Sequence, residues 1–180
     1  MPQPQPLAFA AALAGCLLLV AAAPAPPSKA PTPLRKLVAT VDEDPLPAGK
    51  TGRIVVTVTL SPEFHVNSHT PSQDYLIATS IETTAADGLE VGGWKYPEGE
   101  TKRFAYSEEP IQVYEGSFRV EGTIKAPATL SPSRRDLRLL LKYQACTIDR
   151  CYPPKKEPIT LSVRVDAASG KSSATPGTPR

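Results

Sequence analysis

Hydrophobic and polar residues alternate through most of the chain between residues 34 and 166, with the period of a β-strand. In the segment 53–60, for example, Ile54, Val56, Val58 and Leu60 share one face of the predicted strand. Further strands are predicted at residues 34–41, 64–67, 75–81, 89–96, 111–114, 116–125, 137–145 and 158–165. Eight or nine short strands without a helical pattern predict an all-β, mainly antiparallel β-sandwich.

The last two predicted strands form a hairpin around the sequence CTIDRCYPP, residues 146–154. Pro153 and Pro154 have no backbone N–H group, so strand pairing stops there. A hairpin with Cys146 and Cys151 near its inner ends brings the two sulfur atoms within bonding distance. Cys146 continues the outward-facing row of its strand, so we expect it to lie off the core. We expect Cys151 to be the more accessible sulfur.

The two ends of the chain differ in composition from the β-rich middle. Residues 1–23 contain an uncharged apolar run ending in three alanines, which predicts a signal peptide and a domain exported from the cytoplasm. The sequence LAGC, ending at Cys16, also resembles a lipoprotein cleavage box, so lipid anchoring there is the alternative. Residues 24–33 are predicted to be a proline-rich linker, residues 34–166 the domain, and residues 167–180 a disordered tail.

Charge is nearly balanced in the predicted domain. Residues 34–166 contain 17 Lys and Arg and 18 Asp and Glu, and the basic residues are scattered among the acids. A nucleic-acid-binding protein needs a basic stripe or patch, so the sequence excludes that function class. The sequence also lacks a glycine-rich phosphate loop and a Ser-His-Asp order, and we expect no cofactor.

The residues alone leave three interpretations of the cysteine pair. The first is a structural disulfide in an exported interaction module, although so short a loop removes little entropy from the unfolded chain. The second is a redox pair, whose thiolate Arg150 and Lys142 favour and Asp149 opposes. In the third, His65 and His69 join both cysteines in a copper or zinc site. The turn sequence after His69 argues against a strand that carries both histidines on one face.

Four segments of the chain resemble one known family. They are YQACTIDRCYPP at 143–154, FHVNSHTP at 64–71, KRFAYSEEPIQVYEG at 102–116 and YLI at 75–77. Together they resemble the periplasmic N-terminal domain of the thiol:disulfide interchange protein DsbD, also called the disulfide bond corrector domain. The resemblance implies an immunoglobulin-like sandwich whose two cysteines alternate between dithiol and disulfide.

The resemblance also implies roles for individual residues, including a cap-loop phenylalanine that shields the redox pair. The matching positions here are the redox pair Cys146 and Cys151, the cap residues Phe104 and Tyr106, and the flanking residues Tyr143, Arg150 and Tyr152. One departure concerns charge, because Lys102 and Arg103 stand where acidic residues can precede the cap phenylalanine. Another is that the membrane and C-terminal thioredoxin portions are absent, which predicts a free-standing form of the domain.

The partners implied by the resemblance are redox proteins. The donor is a thioredoxin-like domain or a membrane thiol-disulfide transporter, and the acceptor is a periplasmic disulfide isomerase or a cytochrome-maturation protein. We therefore expect a monomeric electron relay, an oxidoreductase of the protein-disulfide reductase type. In the expected exchange, the partner attacks Cys151 and Cys146 resolves the mixed disulfide.

Overall fold

The structure is a computed structural model that describes residues 32–168. The predicted signal peptide, residues 1–23, lies outside the described residues, as do Cys16, most of the linker and nearly all of the tail. Among the described residues, no helix is long and apolar enough to cross a membrane. The described residues form twelve strands. In chain order these are β1 (Leu34–Val41), β2 (Leu46–Pro47), β3 (Thr51–Leu60), β4 (His65–Asn67), β5 (Ser80–Ala85), β6 (Glu90–Lys95), β7 (Glu100–Lys102), β8 (Ile111–Glu115), β9 (Ser117–Lys125), β10 (Ser133–Tyr143), β11 (Ala145–Cys146) and β12 (Lys155–Asp166).

Within residues 32–168 the strands are arranged in three four-stranded sheets. Their orders are β1-β3-β9-β6, β2-β12-β10-β5 and β11-β4-β8-β7. Neighbouring strands are antiparallel, apart from the short parallel pairing of β2 with β12. The prediction of an all-β, immunoglobulin-like antiparallel β-sandwich is confirmed.

The first two sheets bury their alternating apolar side chains in one core. On β3 the buried row is Ile54, Val56, Val58 and Leu60, as the alternation predicts. Each such side chain contributes about 1.5–3 kcal/mol by leaving water. On β10 the buried row contains Leu137, Leu139, Leu141 and Tyr143. The hairpin of β10 and β12 pairs Tyr143 with Lys155, so the core rows of this hairpin are fixed up to the edge of the cysteine segment.

The predicted strand at residues 75–81 is wrong for its first five residues, since β5 begins only at Ser80. Tyr75 and Ile77, which gave the alternation, are 68% and 41% exposed. The backbone here is held by polar side chains instead of a strand ladder. The Asn67 amide donates to the Ile77 carbonyl at 3.0 Å, and the Thr79 hydroxyl donates to the Asn67 carbonyl at 2.6 Å.

The third sheet positions the cysteine segment. Its strand β11 carries Cys146 and pairs with β4, which pairs in turn with β8 and, beyond it, β7. The connection between β7 and β8, residues 103–110, is called the cap loop below. Because β11 and the cap loop both depend on this one small sheet, the cysteines and the cap loop lie at the same end of the molecule.

Candidate redox site

Cys146 and Cys151 are joined by a disulfide bond with an S–S distance of 2.05 Å. Cys151 is exposed, as the sequence predicted. Cys146 has no solvent exposure, so the prediction that it lies off the core is wrong. The bond therefore joins one buried sulfur to one accessible residue.

Cys146 is buried because the strand does not continue straight through it. Strand β10 ends at Tyr143, Gln144 interrupts the ladder, and β11 then pairs with β4 of a different sheet. The alternation breaks at that point, and the consecutive residues Ala145 and Cys146 are both buried. A sequence pattern that assumes one uninterrupted strand places Cys146 on the wrong face.

The loop between the cysteines is a tight turn held by local hydrogen bonds. The Thr147 N–H donates to the Arg150 carbonyl at 2.8 Å, and the Tyr152 N–H donates to the Ala145 carbonyl at 2.9 Å. The Gln144 amide donates to the Tyr152 carbonyl at 3.1 Å. These bonds hold the backbone on both sides of Cys151, so its exposure does not require a disordered loop.

The basic residues near the pair each have an acidic neighbour. The Arg150 guanidinium lies 3.4 Å from the Asp149 carboxylate, and both side chains are exposed. The Lys142 ammonium pairs with the Glu82 carboxylate. Both cations are matched locally, which weakens the electrostatic stabilisation of a thiolate that the sequence suggested.

Two cap-loop aromatic residues contact the ring of His65. The Phe104 ring stacks on it with a centroid distance of 4.0 Å and an interplanar angle of 17°. The Tyr106 hydroxyl shares a hydrogen bond of 2.6 Å with His65 Nε2. His65 is only 2% exposed and is the direct ladder partner of Cys146. The predicted cap residues and the predicted redox pair are thus connected through a residue that the sequence had suggested only as a metal ligand.

Burial controls the ionisation of this aromatic cluster. Desolvation lowers the pKa of His65 to about 4; the nearby Glu115 carboxylate opposes this shift, and Lys102 adds to it. Desolvation also raises the pKa of Tyr106 to about 12, with Tyr75 contributing. Both groups are therefore neutral at pH 7, and the hydrogen bond between them joins two uncharged rings.

The two tyrosines that flank the pair hold the ends of the cysteine segment. Tyr143 is buried, and its burial together with the Glu157 carboxylate raises its pKa to about 12. Tyr152 is half-buried and packs against Phe64 with ring centroids 5.7 Å apart. Tyr143 therefore supplies no charge to the site at neutral pH, and both side chains supply packing.

The two histidines of the suggested metal site make separate contacts. His69 stacks on Tyr96 at 3.6 Å, and its Nδ1 donates to the Thr79 carbonyl at 2.9 Å. Among residues 32–168, no group of three or more His, Cys, Asp and Glu side chains is arranged to hold a metal ion.

An exposed apolar residue marks the tip of the cysteine loop. Ile148 lies between the two cysteines and is 76% exposed. An aliphatic side chain with so little burial contributes little to the stability of the fold. No alternation or motif singles out Ile148, although its place between the two cysteines is visible in the sequence.

Comparison with known proteins identifies the family. A family model described as "Thiol:disulfide interchange protein DsbD, N-terminal" matches residues 36–163. The N-terminal domain of DsbD from Neisseria meningitidis, in its reduced form, is 19% identical, with 71% of this chain and 85% of that chain covered and a TM-score of 0.45. The N-terminal periplasmic domain of ScsB from Proteus mirabilis is 16% identical, with 68% and 44% covered and a TM-score of 0.46. No curated protein matches the chain.

The family model covers more than half of the chain and includes every strand from β2 to β11, both cysteines and the cap loop. Its match rests on the sequence and does not depend on the distant structural neighbours. The chain therefore belongs to the family of N-terminal domains of the thiol:disulfide interchange protein DsbD, a family of thiol-disulfide interchange domains.

Proposed function

We propose that the domain is a periplasmic electron relay that takes reducing equivalents from a thioredoxin-like donor and passes them to a periplasmic acceptor. The reversible group is the disulfide between Cys146 and Cys151. No cofactor is needed, because the two sulfur atoms carry both electrons. The donor is a thioredoxin-like domain or a membrane thiol-disulfide transporter, and the acceptor is a disulfide isomerase or a cytochrome-maturation protein.

The difference in exposure between the two sulfur-bearing residues supports this proposal. Thiol-disulfide exchange requires the attacking thiolate to reach one sulfur, and only Cys151 of the pair is exposed. Cys146 is then the leaving group and stays inside the protein. A purely structural bond needs neither an accessible sulfur nor an exposed apolar residue beside it.

The proposed exchange proceeds through two mixed disulfides. A donor thiolate attacks Cys151 Sγ, the Cys146–Cys151 bond breaks, and Cys146 leaves as a thiolate that takes a proton. The donor's second thiol then attacks the sulfur of the donor's first cysteine in the mixed disulfide and releases Cys151, which takes a proton. The donor is thereby oxidised to a disulfide, and the domain gains two electrons and two protons. Toward the acceptor the order is reversed: Cys151 attacks, and Cys146 resolves the mixed disulfide.

The cap loop has a protective role in this proposal. Phe104 and Tyr106 lie over His65, the neighbour of Cys146, and restrict the approach of small oxidants to the Cys146 side of the reduced pair. A protein partner that docks at Ile148 reaches Cys151 directly, because Cys151 is exposed with the loop in place.

The test is to trap the mixed disulfide with variants that keep one cysteine of the pair, in a background in which Cys16 is replaced by Ser. Cys146→Ala leaves Cys151, which is activated as its mixed disulfide with 5-thio-2-nitrobenzoate and mixed with a reduced thioredoxin that has only its attacking cysteine. We expect a covalent complex and stoichiometric release of thionitrobenzoate. Cys151→Ala, activated in the same way under denaturing conditions and refolded, is the matched control. It should form the complex at least tenfold more slowly, because its sulfur is buried.

The competing interpretation, an interaction module with a structural disulfide, predicts a different result. In that case reduced thioredoxin leaves the wild-type bond intact under native conditions and reduces it only after the domain is unfolded. Equal trapping at the two cysteines would contradict the assignment of Cys151 as the attacked sulfur.

A further inference from the structure

We propose that His65 is the positioning residue that holds the cap loop closed beside the redox pair. This inference rests on the proposed function of the pair and adds to it the residue on which the cap loop closes. It assigns His65 no part in bond making, since the exchange itself uses only sulfur atoms.

Strand register places His65 next to the disulfide. His65 on β4 is directly opposite Cys146 on β11, and on its other side directly opposite Glu115 on β8. Side chains directly opposite each other in an antiparallel pair lie on the same face, with Cβ atoms about 4.5–5.5 Å apart. The ring of His65 therefore stands between the buried cysteine and the remainder of the third sheet.

The cap loop contacts this one ring through both of its aromatic residues. Phe104 stacks on His65 at 4.0 Å, and Tyr106 lies nearly parallel to it at 6.2 Å and makes the 2.6 Å hydrogen bond to Nε2. Phe104 and Tyr106 also stack on each other at 5.3 Å. Loss of the His65 ring removes the surface on which both cap residues rest, whereas loss of either cap residue leaves the other contact in place.

Two features show that the ring is placed for this contact. Strand β4 is central in its sheet, so the backbone under His65 is fixed from both sides by β11 and β8. The cap loop, by contrast, has no strand of its own, and its Phe104 and Tyr106 are only half-buried. A fixed ring under a loop without strand pairing is an arrangement in which the ring determines the position of the loop.

The chain carries its own probe of cap-loop opening. Lys102 and Arg103 immediately precede Phe104, so trypsin cuts at the start of the cap loop when the loop opens. When opening and closing are fast relative to cleavage, the rate of that cut measures the population of the open loop. The experiment follows the rate of the tryptic cut after Lys102 and Arg103 in the full chain by mass spectrometry, in the oxidised and in the reduced state.

Three variants separate the contributions. His65→Ala removes the stack and the hydrogen bond and should accelerate the cut at 102–103 about tenfold or more, equivalent to ~1.4 kcal/mol. His65→Phe restores the stack but not the hydrogen bond, so it should be cut at about the rate of Tyr106→Phe and more slowly than His65→Ala. Tyr106→Phe removes one hydroxyl from a half-buried side chain and should accelerate the cut about threefold to tenfold. This last variant keeps the inference testable if His65→Ala does not fold.

The matched control is His69→Ala. His69 also stacks on a tyrosine and donates one hydrogen bond, but its partners are Tyr96 and Thr79, outside the cap loop. His69→Ala should leave the rate of the cut at 102–103 unchanged. The inference is overturned if His65→Ala and Tyr106→Phe are cut there at the wild-type rate, or if His69→Ala accelerates the cut equally.

A second measurement distinguishes this inference from the proposed function. The wild-type disulfide is treated with reduced thioredoxin, which tests only the relay. If thioredoxin fails to reduce it while the tryptic pattern follows the variants as expected, His65 still positions the loop and the relay is wrong. If thioredoxin reduces it and the variants behave as wild type, the relay stands and the role of His65 is wrong.

Discussion

Reduction of the Cys146–Cys151 bond is expected to lower the free energy of unfolding by only about 2 kcal/mol. The two cysteines are five residues apart, and a disulfide stabilises mainly by restricting the unfolded chain, by an amount that grows with the logarithm of loop length. A bond that joined distant strands of the sandwich would contribute considerably more. A disulfide at this position therefore contributes little to the free energy of unfolding.

The reduced domain should keep its fold, because the core does not depend on the bond. The buried rows of β3 and β10 are complete without either cysteine, and Cys146 as a free thiol remains a small buried apolar group. Domains of this size typically have about 5–15 kcal/mol of stability, so a loss of about 2 kcal/mol leaves the native state dominant. A relay needs this property, since it must be folded in both oxidation states.

The assay is urea unfolding of the oxidised and the reduced domain and of the variant Cys151→Ala, which lacks the bond but retains the buried Cys146. We expect the reduced wild type and the variant to unfold at similar midpoints, both below that of the oxidised protein, with equal dependence on urea. Complete unfolding on reduction, or a loss beyond about 4 kcal/mol, would refute the argument and favour a structural bond.

Three further predictions concern single residues. Because the pKa of His65 is lowered to about 4 from 6.5, the unfolded state takes up a proton first as the pH falls. Stability is thus lost between pH 6.5 and 4, by up to about 3 kcal/mol, and His65→Phe should remove this part of the pH dependence of urea unfolding. At Gly122 a Cβ atom would lie 2.6 Å from the Trp94 ring, so Gly122→Ala should destabilise by about 1–3 kcal/mol and shift the fluorescence of the one tryptophan. Ile148→Ser should leave the free energy of unfolding within about 0.5 kcal/mol of wild type, since the side chain is exposed, yet slow the reduction of the disulfide by thioredoxin.

Alternation in the sequence predicted the long strands because each of them buries one complete face. Strands β1, β3, β9 and β10 lie where the pattern places them, and the hairpin of β10 with β12 closes as expected. The short strands β2, β7 and β11, with two or three residues each, are too brief for any period to register. They form because each pairs with a neighbouring strand, and such pairings depend on the fold and not on the local sequence.

The site shows the same limit at the level of single residues. The burial of Cys146 and the contact of His65 with the cap loop both follow from the pairing of β11 with β4, and this pairing joins residues about 80 positions apart in sequence. No local pattern reports such a contact. Motif resemblance located Cys146, Cys151, Phe104 and Tyr106 individually, but the residue between them became visible only through strand register.

The two basic residues before the cap phenylalanine, Lys102 and Arg103, have different surroundings. Lys102 ends β7, and its ammonium contacts the carboxylates of Glu100 and Glu115, so its charge is matched inside the third sheet. Arg103 is the first residue of the cap loop and is exposed. The positive charge of Lys102 is therefore compensated within the domain, by these two carboxylates. The Arg103 side chain is exposed, so under the proposed function a partner that approaches Cys151 over the cap loop would meet a positive charge there.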